Sequence, residues 1–123
     1  MNNHKSVLLV EDEPSIVAMY QLKFIASGFE FYATADIHEG FNLAKHHQPS
    51  VILLDIKLGD QSGMDLLKML KAEDSTKAIP VLMFSNAYQK EYEKAAIELG
   101  AKEFVLKTKV LPDETIAIVN KYL

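Results

Sequence analysis

Five polar residues capable of metal and phosphoryl chemistry stand directly after four short apolar runs. Val7-Leu8-Leu9-Val10 leads into Glu11-Asp12, Val51-Ile52-Leu53-Leu54 into Asp55, Val81-Leu82-Met83-Phe84 into Ser85, and Phe104-Val105-Leu106 into Lys107. If the runs are parallel strands of one sheet, their carboxyl ends share the edge where open α/β folds bind ligands. Three carboxylates meeting there cannot all stay ionised without help, because neighbouring like charges oppose ionisation. A hard dication would relieve them, and Mg²⁺ suits an all-oxygen, largely hydrated site built on one or two carboxylates plus phosphate oxygens. An acid such as Asp55, directly behind four apolar residues, is poorly explained as a surface residue. Lys107 would offer a point charge to a phosphate oxygen and Ser85 a hydroxyl donor to another.

Strand-like and helix-like segments alternate five times with no linker or repeat, the pattern of an α/β fold with a parallel sheet. The expected strands are Val7 to Val10, Phe29 to Ala33, Val51 to Leu54, Val81 to Phe84 and Phe104 to Leu106. Four are continuously apolar, as strands covered on both faces should be; Glu30 interrupts the second, which therefore reads as an edge strand. Pro14 opens a first helix facing inward through Ile16, Val17, Tyr20 and Phe24 and stopped by Gly28. Asp36-x-x-Glu39 resembles a capping box for a second helix carrying Ile37, Phe41 and Ala44; Ser62 can cap a third carrying Leu66, Leu67 and Leu70. Tyr88, Tyr92, Ala95, Ala96 and Leu99 suggest a fourth helix ended by Gly100, and Pro112 opens a fifth through Ile116, Val119 and Leu123. Right-handed connections with helices on both faces demand one reversal of winding. The strand order 2-1-3-4-5 puts that reversal between strands one and three, beside Glu11, Asp12 and Asp55.

The 123 residues suit one domain with a real core. An apolar content of 49% and a charged content of 24% describe a water-soluble chain, and no run approaches the roughly 20 residues that span a bilayer. Met1 to Lys5 is too polar and short to precede a signal-peptide core, so a cytoplasmic location is expected, with no membrane partner. The absence of cysteine excludes disulfides, thiolate zinc sites and thiol catalysis. A net charge of −4 argues against a direct nucleic-acid surface.

Around the central acid the chain reads Asp55-Ile56-Lys57-Leu58-Gly59-Asp60-Gln61-Ser62-Gly63. With the acidic pair after strand one, the glycine eight residues beyond Asp55, Ser85 after strand four, Gly100-Ala101 before strand five and Lys107 at its end, residues 1–123 as a whole resemble a receiver domain of the two-component response regulator family. The resemblance implies the CheY-like, flavodoxin-like fold: a five-stranded parallel sheet with helices on both faces. It implies that Asp55 accepts a phosphoryl group from a sensor histidine kinase or phosphotransfer protein, with Mg²⁺ held by Glu11, Asp12, Asp55 and the backbone carbonyl of Lys57. It further implies Ser85 and Phe104 as switch residues, and a partner or homodimer surface on the fourth helix, fifth strand and fifth helix that includes Tyr88, Lys90, Glu91 and Lys109. Enzymatic turnover beyond slow self-dephosphorylation is not expected.

Four positions depart from the family pattern. Glu11 stands where Asp is frequent, and Gly59 replaces a frequent proline, which should loosen the loop after Asp55. Asn86 stands where alanine or glycine is usual and should narrow phosphodonor access; Thr108 replaces the proline after the lysine and leaves the orientation of Lys107 open. These departures keep a second reading in view, a degenerate receiver that binds a partner without phosphorylation. A phosphohydrolase of the haloacid dehalogenase type would need a second acid two residues after the nucleophile, where this chain has Lys57. The histidines read as solvated, because His46 and His47 are adjacent and cannot converge on one ligand face, and Met64, Met69 and Met83 read as packing residues.

Overall fold

The computed structural model describes residues 4–123; the segment Met1–Asn3, part of the stretch read above as too polar for a signal peptide, lies outside them. Five parallel strands form the main sheet: β1 (Ser6–Val10), β2 (Glu30–Thr34), β3 (Val51–Leu54), β4 (Val81–Ser85) and β5 (Glu103–Leu106). Their spatial order is β2-β1-β3-β4-β5, so β2 is an edge strand and the winding reverses at β1. Observed strand limits differ from the expected ones by one residue at five ends: ladder pairing carries the polar Ser6, Thr34, Ser85 and Glu103 into the sheet, and Phe29, expected to open the second strand, precedes it because pairing begins at Ser6↔Glu30.

Side chains alternate across a strand, so each apolar run feeds two cores. Leu8, Val10, Ile52, Leu54 and Met83 face Ile37 and Ala44 of α2 (Ile37–His47), Leu66, Leu67 and Leu70 of α3 (Gly63–Ala72), and Ala96 of α4 (Lys90–Glu98). Val7, Leu9, Leu53, Leu82 and Phe84 face Tyr20 and Phe24 of α1 (Pro14–Ala26) and Ile116 and Val119 of α5 (Pro112–Asn120). Continuous apolarity in sequence is thus two layers of helix in space.

Local signals act mostly as read, with four corrections. Asp36 accepts from the Glu39 amide at 2.8 Å, but the Asp36 amide donates to Thr34 Oγ1 rather than to Glu39, so only half of a capping box forms. Tyr88 precedes α4 and is exposed, since that helix starts at Lys90. Leu123 lies beyond α5 and is exposed. Gly59 does not loosen its loop: it turns a tiny antiparallel hairpin, Lys57–Leu58 against Gln61–Ser62, with φ +62°, a conformation closed to proline.

Candidate functional site

The sheet ladder itself delivers the first two acids. Past the last paired residues the Glu11 amide donates to the Thr34 carbonyl at 2.9 Å and the Asp55 amide to the Val10 carbonyl at 3.1 Å, so both backbones are held at the carboxyl edge. Glu11 and Asp55 are buried, at 2% and 6% exposure, whereas Asp12 beside them faces solvent. One carboxylate oxygen from each lies within 4.8 Å of the others. This all-oxygen donor set at one sheet edge fits a hard dication.

The segment after Asp55 is tied down at three points. Asp12 Oδ2 accepts from the Gly59 amide at 3.0 Å, a bond proline at this position could not make. Gln61 accepts from the Ile37 amide at 2.9 Å and donates to Asp36 Oδ1 at 2.9 Å, joining the hairpin to the start of α2. Gly63 donates to the Ile56 carbonyl at 2.7 Å, and its Cα approaches Asp55 so closely that an added Cβ would lie 1.8 Å from the Asp55 carbonyl oxygen. The glycine eight residues after Asp55 is there because nothing larger fits.

Lys107 reaches into this cluster from the end of β5. Its ammonium donates to Asp55 Oδ2 at 2.7 Å and to Glu11 Oε1, while Asp55 Oδ1 accepts from the Ile56 amide at 2.7 Å. Burial pushes the Glu11 carboxyl above its usual range, and the hydrogen bond and charge of Lys107 offset this only in part. Burial works against the Lys107 charge, but its bonds to Asp55 and Glu11 outweigh it and hold the ammonium above the ordinary lysine range. Ser85 closes β4, 1% exposed, and its Oγ accepts from the Ala87 amide at 3.1 Å. The structure therefore unites Glu11, Asp12, Asp55 and Lys107 directly, whereas the Ser85 hydroxyl engages its own loop. Lys57 is exposed in the hairpin, paired with Ser62.

Residues 7–120 match the response regulator receiver domain family. The chain belongs to that family. It is 32% identical over 119 residues to the polar-differentiation response regulator DivK of Brucella anthropi, covering 97% of this chain and 96% of that one, and 31% identical to its Brucella ovis counterpart over the same shares. Its fold is similar to that of the chemotaxis protein CheY4 of Vibrio cholerae (TM-score 0.89, 23% identity, 98% and 99% of the two chains). It is also similar to a CheY-like receiver domain of Methanospirillum hungatei (TM-score 0.87, 24% identity, 97% and 93%).

Within this receiver domain three of the four departures have local explanations. Gly59 provides the amide that Asp12 binds, and Asn86 and Thr108 meet each other, Asn86 Oδ1 accepting from the Thr108 amide at 3.0 Å. The lysine before Thr108 reaches the acids with every peptide bond among the described residues trans. Phe104 is half-buried and meets the exposed Tyr88 ring edge-to-face at 5.5 Å; Tyr88 Oη donates to Glu93.

The sequence reading of this receiver domain missed Gln61, whose cross-loop role leaves no local signature, and the outer face of α1. Met19, Leu22 and Ile25 are exposed there, at a spacing of three that was visible in the sequence but masked by the inward Tyr20 and Phe24. A cleft of about 400 Å³ opens between α1 and the end of β2, reaching Asp12 and Pro14. No described helix is long and apolar enough to cross a membrane.

Proposed function

We propose that the domain is a phosphoacceptor switch of a two-component relay, with Asp55 as the residue modified. The observation that carries this reading is the Lys107 ammonium 2.7 Å from Asp55 Oδ2, inside an oxygen cluster that includes Glu11 and Asp12. A carboxylate oxygen of Asp55 attacks phosphorus of a phosphohistidine on a sensor kinase or phosphotransfer protein; the P–O bond forms as the P–N bond breaks, the leaving nitrogen takes that electron pair, and the ring, protonated on its other nitrogen, departs as neutral imidazole. Phosphoryl transfer asks a protein chiefly for positioning and charge neutralisation. Glu11, Asp12, Asp55 and the Lys57 carbonyl would hold Mg²⁺, which would supply charge neutralisation at the transferred group. Lys107 turns from the bare carboxylate to a phosphoryl oxygen, and Ser85 leaves the Ala87 amide to donate to another. Turnover of a diffusible substrate is not part of this function; slow self-dephosphorylation is.

Output follows from the movement of Ser85 and Phe104 at the face formed by α4, β5 and α5, which serves an effector or a second copy. Acetyl phosphate with Mg²⁺ should add one phosphoryl group, seen by intact-mass spectrometry and absent in Asp55→Asn. Weak Mg²⁺ binding by calorimetry should disappear in Asp12→Asn. A parent chain that no donor labels and no beryllofluoride binds would establish the degenerate receiver instead.

A further inference from the structure

We propose that Asn86 and Thr108 form a latch that positions Lys107, so that the side-chain amide after Ser85 sets the place of the ammonium that meets the phosphoryl group. Backbone pairing between β4 and β5 ends at Ser85↔Leu106. One residue beyond on β4, Asn86 Oδ1 accepts from the Thr108 amide at 3.0 Å, continuing the cross-strand link with a side chain where the ladder has stopped. The two ends of this bond lie directly after Ser85 and directly after Lys107.

Both ends are prepared for it. Lys107–Lys109 is a single short 3₁₀ turn, in which the first amides have no partner within the turn, so the Thr108 amide needs an outside acceptor. On the other side, the Ala87 amide donates to Ser85 Oγ and the Tyr88 amide to the Asn86 carbonyl, which folds residues 85–88 back on themselves and holds the backbone from which the Asn86 side chain reaches Thr108. Asn86 and Thr108 are both exposed, so this bond makes no core contact, and its consequence is local. Lysine is a flexible stem carrying a point charge. Anchoring the backbone one residue past Lys107 restricts where its ammonium can go, and the ammonium already spans Glu11 and Asp55. The latch also excludes proline at 108 for a physical reason: proline has no amide hydrogen to donate.

This inference rests on the phosphoacceptor reading only for its functional consequence, and the test separates the two. Asn86→Leu keeps the bulk and removes the acceptor, Asn86→Ala removes both, Asn86→Asp keeps the acceptor, and Thr108→Ala keeps the amide donor. In the metal-free protein, hydrogen exchange at the Thr108 amide should quicken about two- to fivefold in the Leu and Ala variants, as expected for loss of one exposed hydrogen bond, and stay slow in the Asp and Thr108→Ala variants. The Lys107 side-chain resonances should move toward those of exposed lysines in the same Leu and Ala variants. With Mg²⁺, beryllofluoride affinity should fall by a similar about two- to fivefold in both, with no loss of affinity for Mg²⁺ alone, since a displaced ammonium opposes the cation less. If Asn86 acted only as a gate, Asn86→Ala would speed small-donor phosphorylation while Asn86→Leu, with its bulk kept, would match the parent, and the latch would be rejected. Equal Thr108 exchange in parent and Asn86→Leu would reject it as well, as would lost protection with unmoved Lys107 resonances. Failure of the parent to bind beryllofluoride at all would refute the phosphoacceptor reading and leave the exchange and lysine measurements to decide the latch.

Discussion

The Lys107 ammonium lies 2.7 Å from Asp55 Oδ2, so the central carboxylate of the unmodified domain is ion-paired. The same ammonium also bridges to buried Glu11, which makes it the internal counter-ion of a cluster otherwise composed of acids. Breaking a buried pair by removing one partner leaves an uncompensated charge behind.

Lys107→Met, which keeps most of the stem, should therefore destabilise the metal-free domain at neutral pH by about 3 kcal/mol. Saturating Mg²⁺ should recover a large part of that loss, because ligand binding to the native state stabilises it and the variant no longer sets an ammonium against the cation. Urea unfolding with and without MgCl₂ reads both quantities. The same destabilisation at saturating Mg²⁺ would mean that Lys107 acts through packing and not charge.

Gly63→Ala should be far more damaging than Gly59→Ala, although Gly59 is the residue with positive φ. A Cβ at 63 would fall 1.8 Å from the Asp55 carbonyl oxygen, forcing backbone to move under the site, at a cost of about 3 kcal/mol or more. A Cβ at Gly59 meets nothing within 4 Å and costs only the left-handed backbone, about 1–2 kcal/mol. Denaturant midpoints give the order, and Mg²⁺ titration should show weakened binding in Gly63→Ala. Comparable losses in the two variants would contradict the close approach.

Tyr122 is the clearest pH probe of the fold. Its hydroxyl donates to Glu103 at the start of β5, a bond that, with some burial and the carboxylate charge, pushes the phenol up to about 12. An unfolded tyrosine titrates near ~10, so the native state holds this proton more tightly than the unfolded chain does. The resulting stability is fully present below about 10 and is lost as pH rises through about 12. Tyr122→Phe should cost ~0.5–1 kcal/mol at neutral pH, and the gap between parent and variant should close across that alkaline window. A gap that stays constant to pH 12.5, about half a unit past the titration, would show that the loss is not the proton-linked bond.

Phe104 and Tyr88 report the proposed switch. Their edge-to-face contact at 5.5 Å stands at the surface formed by α4, β5 and α5. Under beryllofluoride, withdrawal of Ser85 toward the modified Asp55 should let Phe104 turn inward, and the ring-proton shifts of both aromatics should change together with amides of α4. Fixed shifts at full occupancy would make the domain a phosphoryl carrier rather than an allosteric switch.

The layered sheet and the residues at its carboxyl edge are legible in the linear order of the chain. Val7–Val10, Val51–Leu54 and Val81–Phe84 are short and apolar at every position, as strands covered on both faces are, and winding rules then place Glu11, Asp12 and Asp55 at the reversal point. These are properties of period and order, which a linear chain displays. Tertiary structure alone decided what touches what across 20 residues or more. It seated Lys107 on Asp55 and Glu11, gave the Gly59 amide to Asp12, turned Gln61 onto the start of α2 and paired Asn86 with Thr108. It also removed Tyr88 from α4, because that helix begins only after Gln89, and it left the Asp36 amide to Thr34. Such choices depend on which donor and acceptor the packed layers bring within about 3 Å, and no local periodicity encodes that distance.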